Sequence, residues 1–149
     1  MEQKTSMDIR RYAWILVGKA REEMLKARQK ELAPYEISPR QAYVVDILYN
    51  LGRKATIVEV AKHVDREANT LAQQLNRMEK DGLVKRYQEK AKSTLLTFEL
   101  TDKGVRAYEN SLKREAIKKV MSVLSEEQLQ ILVFMMEQLI NAAEGYHRD

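Results

Sequence analysis

The feature of this sequence that most restricts its fold is an amphipathic helical segment that stops at a glycine. Within the stretch 66–80, Leu71, Leu75 and Met78 recur at the spacing of one helix face, and polar side chains occupy the opposite face. Gly82 follows, and glycine is the usual residue just past a helix end because it adopts a positive φ without strain. The stretches "LVKRYQ" and "LLTFELT" come next, and the second alternates apolar and polar residues as a strand does. The sequence therefore predicts a β-hairpin, with "QEKAKS" at its tip, beside an exposed polar helix face.

Three helices are predicted before this segment. Helical spacing of apolar residues from Asp8 to about Glu31 predicts the first. Ser38 followed by Pro39 is a typical N-cap and first residue of a second helix. Thr56 with Glu59 three residues later forms a capping box, which predicts a short third helix.

Two further helices are predicted after the hairpin. Thr101 is a suitable cap for a helix that keeps Leu112 on its inward face and continues to about Met121. A second capping box, Ser125 with Gln128, starts a last helix that is apolar nearly all round. Such a helix is expected to bury against more than one neighbour.

The composition excludes several classes of chemistry. The chain of 149 residues has no cysteine, which rules out disulfides, thiolate zinc sites and cysteine nucleophiles. Its two histidines, His63 and His147, are too far apart in the sequence to suggest a metal site, so we predict none. Nucleophile–base groupings, a phosphate-binding glycine loop and the HExxH spacing are missing, so we predict neither an enzyme nor a bound cofactor. The one apolar run near the start, "YAWILV", is too short for a signal peptide or a membrane span. We therefore expect a soluble cytoplasmic protein without a membrane partner.

The net charge of +4 is concentrated in the middle of the chain. Residues 52–106 hold twelve Lys and Arg against eight Asp and Glu, a balance of +4, while the remainder holds fourteen of each sign. A local excess of positive charge attracts polyanions, so the sequence favours a nucleic-acid partner.

The predicted elements occur in the order of a winged helix-turn-helix, in which one helix enters the major groove of DNA and a hairpin wing lies beside it. From Ala61 the sequence continues to "MEKDGLVKR" without a gap, and "LTDKG" at 100–104 follows the predicted wing. In these phrases and their spacing the sequence resembles the multiple-antibiotic-resistance regulator (MarR) family of dimeric bacterial transcription factors. The phrases "ISPRQAYVVDIL" and "LSEEQLQIL" extend the resemblance to most of the chain.

This resemblance implies a single, mainly α domain over 1–149 with a small β-hairpin. The winged helix-turn-helix lobe would cover 38–104, and the regions 1–37 and 105–149 would supply long helices for dimerisation. Two chains would set their recognition helices into successive major grooves of a pseudo-palindromic operator in double-stranded DNA. The implied function is a homodimeric repressor of a nearby operon.

The candidate DNA contacts lie on the polar helix face, at the start of the third helix and on the wing. Asn69 and Gln73 have the amide geometry that reads adenine edges, and an arginine such as Arg77 suits guanine or phosphate. Basic hairpin residues would hold the wing against the phosphate backbone. The full set is Thr56, Arg66, Asn69, Thr70, Gln73, Asn76, Arg77, Arg86, Lys90 and Lys92.

Two positions depart from the family's pattern. Relatives commonly carry Asp-Arg at the wing, where this sequence has Lys92-Ser93, and lysine lacks the planar fork of arginine. Many relatives carry Thr-Arg in the recognition helix, where this sequence has Ala72-Gln73. We therefore expect a DNA sequence preference that differs from theirs.

A small aromatic effector is a further implication of the resemblance. In the family such a ligand can be wedged between the dimerisation arm and the DNA-binding lobe. The candidate lining residues are Tyr12, Trp14, Leu16, Met24 and Tyr43. The alternative is that these side chains belong to the ordinary core or to an interface.

A second class of function stays open from the sequence. A winged-helix module that mediates protein–protein contacts as an adaptor would contain the same elements and bind no DNA. The two functions differ in their need for positive charge beside the polar helix face, so binding to a DNA duplex at rising salt separates them.

Overall fold

The computed structural model describes residues 8–64, 68–87 and 96–148, and at residues 68 and 69 it describes the backbone alone. The predicted hairpin tip, "QEKAKS", lies outside the described residues. The described chain forms two compact units, and the division between them follows Arg114. In chain order the elements are α1 (Ile9–Leu32), a 3₁₀ helix (Ala33–Tyr35), α2 (Pro39–Asn50), β1 (Lys54–Thr56), α3 (Ile57–His63), α4 (Ala68–Lys80), β2 (Val84–Tyr87), β3 (Thr97–Leu100), α5 (Asp102–Ser111), α6 (Glu115–Met121) and α7 (Glu126–Arg148).

Side-chain caps start the helices where the sequence predicted them. At α2 the Ser38 hydroxyl accepts from the backbone N–H of Gln41 at 3.1 Å, and the Gln41 side chain accepts from the Ser38 N–H at 3.0 Å. Thr56 and Glu59 form the same box at α3, with distances of 3.2 and 3.3 Å. The box predicted at Ser125 is also present at the start of α7. Each box satisfies two N–H groups that would otherwise lack an acceptor, and a cap of this kind stabilises a helix by about 1 kcal/mol.

The sheet has three antiparallel strands in the order β1, β3, β2. Phe98 in the central strand pairs with Ala55 on one side and with Arg86 on the other. The Leu100 N–H also donates to the Arg53 carbonyl at 2.8 Å, which extends the contact between β1 and β3. The sequence predicted the β2–β3 hairpin but not β1, because a strand of three residues is too short to show a period of two.

One hydrophobic core joins α2, α3, α4, α5 and the sheet. The side chains predicted to line the inward face of α4, Leu71, Leu75 and Met78, are fully buried. Leu48 from α2 and Phe98 from β3 are buried in the same cluster. Burying side chains of this size stabilises a fold by roughly 1.5–3 kcal/mol each, so this cluster holds α4 against the rest of the first unit.

The helix predicted from Thr101 to about Met121 is interrupted, and this prediction was wrong. α5 ends at Ser111, whose hydroxyl donates to the Tyr108 carbonyl at 2.7 Å, and the Arg28 guanidinium donates to the Ser111 carbonyl at 2.7 Å. In a continuing helix the Ser111 carbonyl would accept from the backbone four residues further on, whereas here it accepts from the Arg28 side chain. Arg114 then adopts a left-handed conformation with φ 45°, and α6 begins at the next residue. Leu112, predicted to face inward, is exposed instead.

Two helices present apolar side chains that the described residues of their own unit do not bury. In the second unit no described residue of α7 is buried, and Phe134 is 61% exposed. The burial predicted for α7 on several sides is therefore not provided within the described part of that unit. In α1, residues 8–23 are exposed and Trp14 reaches 75%. Among the described helices, none is both long enough and apolar enough to cross a membrane.

Gly104, in the first turn of α5, provides a test of this packing. A Cβ at this position would lie 2.2 Å from the Leu83 carbonyl oxygen, a backbone atom that cannot move aside. We predict that Gly104→Ala lowers the free energy of unfolding by about 3 kcal/mol, measured by urea denaturation at fixed protein concentration.

Gly145→Ala is the matched control. A Cβ at Gly145 in α7 meets nothing within 4 Å, so the better helix propensity of alanine should leave stability unchanged or raise it by up to about 1 kcal/mol. An unchanged midpoint for Gly104→Ala would contradict the close approach of α5 to the loop before β2.

Candidate nucleic-acid interface

The polar face of α4 is defined here as Thr70, Gln73, Asn76, Arg77 and Lys80, and all five side chains are exposed. It lies opposite the buried side chains of α4, since 100° per residue separates the two groups around the helix axis. All five side chains carry hydrogen-bond donors. The face combines amide, hydroxyl and cationic groups, which is the mixture that contacts base edges and phosphates.

The C-terminal end of α4 is fixed by backbone hydrogen bonds of a Schellman motif. The Leu83 N–H donates to the Met78 carbonyl at 2.9 Å and the Gly82 N–H donates to the Glu79 carbonyl at 3.0 Å. Gly82 has φ 77°, which confirms the positive φ that the sequence predicted. The chain can therefore leave α4 and enter β2 within three residues.

Side chains from α2 and α5 hold the same end in place. The Gln41 amide donates to the Asp81 carboxylate at 2.8 Å, and the Lys103 ammonium donates to the Asp81 carbonyl at 2.8 Å. The Thr101 hydroxyl donates to the Gly82 carbonyl at 2.5 Å. No local signal in the sequence indicated these contacts, since the partners are 40 residues apart for Gln41 and 22 for Lys103. They fix the orientation of α4 relative to the core.

Arg86 links β2 to α4. Its position opposite Phe98 places it on the face of the sheet that packs against the core, beside α4. Nη2 of Arg86 donates to Oδ1 of Asn76, and Nε lies 3.5 Å from the Glu79 carboxylate. The guanidinium carbon is 5.6 Å from the centroid of the Phe98 ring. The phosphate contact predicted for Arg86 stays a prediction, and in this structure the side chain connects the strand to the polar face of α4.

The opposite face of the sheet carries basic and aromatic side chains that were not among the predicted DNA contacts. Lys85 and Tyr87 alternate with Arg86 along β2, so they lie on the outer face. Nζ of Lys54 in β1 lies 3.5 Å from the centroid of the Tyr87 ring, and Lys85 lies 3.5 Å from the Glu99 carboxylate. The alternation of side chains along β2 could have indicated Lys85 from the sequence. Lys54 could not be found in this way, because it lies in β1, which the sequence did not predict.

The remaining candidates for DNA contacts are Thr56, Arg66, Asn69, Lys90 and Lys92. The Thr56 hydroxyl accepts from the Glu59 N–H, so its observed role is to cap α3. Residue 69 belongs to α4, but its side chain lies outside the description. The structure does not describe Arg66, Lys90 or Lys92.

The candidates for an aromatic ligand site lie on α1 and α2. Tyr12, Trp14 and Leu16 are exposed on α1, and Met24 is half-buried. Tyr43 is exposed on α2, and its hydroxyl donates to the His63 carbonyl at 3.1 Å. The described part of the first unit does not enclose these side chains, so their role as a pocket lining stays a prediction.

Comparisons with known proteins show which proteins this chain resembles. The model of the MarR family matches residues 37–91, which include α2, α3, α4 and β2. The resemblance to the MarR family is confirmed. The winged helix-turn-helix predicted from the sequence is also confirmed, with a sheet of three strands rather than a hairpin alone. A comparison with curated protein sequences gives no match.

Solved structures with the same fold include MarR-type regulators. The organohalide-sensing transcriptional regulator RdhR, bound to 2,4-dichlorophenol, is 19% identical with a TM-score of 0.87, over 95% of this chain and 85% of that one. A mutant MarR from E. coli complexed with operator DNA is 17% identical with a TM-score of 0.75, over 83% of this chain and 90% of that one. MepR of S. aureus in a DNA complex is 22% identical with a TM-score of 0.75, over 89% and 97% of the two chains. At these identities the matches establish the shared MarR-type fold.

The observed role of Thr56 leads to a stability prediction. We predict that Thr56→Ala lowers the free energy of unfolding by about 1 kcal/mol, because the start of α3 loses its side-chain acceptor. Thr56→Ser keeps the hydroxyl and should retain nearly all of the stability in the same urea titration. Equal losses in the two variants would show that the methyl group, rather than the cap, matters at this position.

Proposed function

We propose that this chain is a sequence-specific, DNA-binding transcriptional regulator that acts as a homodimer. The observation that carries the proposal is the exposed polar face of α4, on a helix whose other face is buried and whose end is held by α2 and α5. A helix held in this way can present the same face to the major groove without the entropic cost of ordering its backbone on binding. The DNA complexes of MarR-type proteins with the same fold support this role.

The charge distribution supports a polyanionic partner. The whole excess of +4 falls within residues 52–106, the segment that contains α4 and the wing strands β2 and β3. Phosphate contacts from such a segment provide most of the affinity for DNA, and base contacts from the α4 face select the site.

The homodimer is proposed from the apolar helices. Side chains such as Phe134 and Ile140 on α7 and Trp14 on α1 are more than half exposed in one chain. A second copy covering them would remove apolar surface from water, the main favourable term in association. Two copies related by a two-fold axis would present two α4 helices about one DNA turn apart, roughly 34–36 Å, and so favour a pseudo-palindromic operator. Sedimentation at the concentration used for DNA binding would reveal this assembly as twice the mass of one chain, and a purely monomeric protein would contradict it.

The direction of control and the effector are finer parts of the proposal. We place the protein in the cytoplasm as a repressor of a nearby operon that a small aromatic compound releases from DNA. The 2,4-dichlorophenol bound to RdhR supports this class of ligand. Tyr12, Trp14, Leu16, Met24 and Tyr43 are the candidate contacts. If dichlorophenol added to the preformed protein–DNA complex leaves the complex intact at every concentration, this effector class is wrong.

The regulator and adaptor functions are separated by a salt titration. Fluorescently labelled duplex carrying the promoter of the protein's own gene should bind, and log Kobs should fall linearly with log salt with a slope of about −0.9 per phosphate contact. An unrelated duplex of equal length is the control and should bind more weakly. If neither duplex binds at low ionic strength, the protein is not a DNA-binding regulator and the adaptor function is favoured.

Arg77 on the polar face of α4 tests which surface meets DNA. Arg77→Ala should weaken operator binding by about 1–3 kcal/mol, because a guanine or phosphate contact is lost, while the dimer and its stability are retained. Arg21→Ala, which removes the same charge from the exposed surface of α1, should leave operator affinity nearly unchanged. Equal affinities for the wild type and Arg77→Ala would mean that this face of α4 does not contact DNA.

A further inference from the structure

We propose that Asn76 contacts DNA as a hydrogen-bond donor only, and that Arg86 is the positioning residue that imposes this orientation. The inference rests on the proposed function and adds to it the chemistry that one side chain of α4 can recognise. Asn76 would bind an acceptor of DNA, either a phosphate oxygen or an acceptor atom on a base edge, and would not read adenine through two hydrogen bonds.

The orientation of the Asn76 amide follows from the chemistry of its partner. A guanidinium carries N–H donors and no acceptor, so the group of Asn76 that faces Arg86 must be the carbonyl oxygen. Nη2 of Arg86 donates to this oxygen. The amide nitrogen is the other branch of the same planar group, and its two N–H donors are the groups of Asn76 that Arg86 does not engage.

Arg86 is itself held in this position from three sides. Besides Asn76, it lies 3.5 Å from the Glu79 carboxylate and packs over the Phe98 ring at 5.6 Å. Asn76 and Glu79 are three residues apart on α4, so both groups lie on the side of the helix that faces β2. One planar fork can reach both at once, whereas the ammonium of a lysine is a single point of charge.

The positive charge of Arg86 is offset by a neighbouring carboxylate. Its guanidinium lies beside the Glu79 carboxylate, and the two side chains are 41% and 38% exposed. The pair therefore adds little net charge to the polar face of α4. These contacts indicate that Arg86 orients Asn76 rather than attracting phosphate.

This orientation disfavours the usual contact of asparagine with adenine. That contact needs the carbonyl oxygen to accept from the adenine N6 amino group while the amide nitrogen donates to N7. In this protein the Asn76 carbonyl oxygen already accepts from the charged Arg86 guanidinium, so adenine N6 would have to share that oxygen through its second lone pair. The remaining donors suit acceptors such as phosphate oxygens, guanine O6 and N7, or thymine O4.

The first test asks whether any adenine amino group is read by Asn76. The dimeric protein is titrated with the promoter duplex of its own gene, in which each adenine of the footprint is replaced in turn by purine, a base that keeps N7 and lacks the N6 amino group. Asn76→Ala should weaken binding about tenfold, and each purine replacement should cost the wild type and the variant the same factor. The proposal is overturned if a purine replacement at some position weakens binding of the wild type but not of Asn76→Ala, because this would show that Asn76 accepts from that adenine.

An unrelated duplex separates the two kinds of acceptor. If Asn76 donates to phosphate, Asn76→Ala weakens the promoter and the unrelated duplex equally; if it donates to a base edge, only the promoter is affected. Both results support the donor role. Unchanged affinity for both duplexes would overturn it, and a wild type that binds no DNA would instead refute the proposed function.

The second test addresses Arg86. Arg86→Lys keeps the charge but not the fork, so it should weaken promoter binding while the slope of log Kobs against log salt stays the same. In the Asn76→Ala background the same change should cost almost nothing, because the side chain that Arg86 orients is already gone. Losses that add in the double variant, or a slope reduced by about 0.9, would show that Arg86 contacts DNA itself.

Discussion

The burial of one face of α4 is the interaction on which the candidate interface depends. Leu71, Leu75 and Met78 enter the core completely, and this leaves the polar side chains of the helix no direction except outward. The burial sets the rotation of the helix about its axis, whereas the hydrogen bonds at Asp81 and Gly82 set its end. A helix held in both ways presents the same side chains to solvent without a rearrangement of its backbone, which is the physical basis of recognition by a preformed surface.

The contact between Arg86 and α4 makes β2 part of the candidate interface rather than a separate element. In a winged helix the wing and the recognition helix meet neighbouring parts of the duplex, so their relative position matters for both. Here one guanidinium reaches Asn76 and Glu79 across that junction. The wing strand thereby influences which hydrogen-bonding groups α4 presents, even though its own basic charge is partly balanced.

The exposed apolar surfaces of α1 and α7 need a different explanation. Trp14 and Phe134 are largely exposed in a single chain, and neither composition nor capping explains why such side chains should face water. The proposed homodimer explains both surfaces with one assembly. It also relates the spacing of the two α4 helices to the spacing of half-sites on DNA, so that affinity and site symmetry follow from the same contact.

The sequence by itself determined the features that depend on neighbouring residues: the helix starts at Ser38 and Thr56, the end of α4 at Gly82, and the inward and outward faces of α4. Capping and a positive φ act within a few residues, so they can be recognised without the fold. Only the tertiary structure decided that β1 pairs with β3 and that the helix after the wing ends at Ser111, where Arg28 reaches from 83 residues away. It also decided that Arg86 faces α4, because a strand pattern gives the side of a residue but not the partner that lies there.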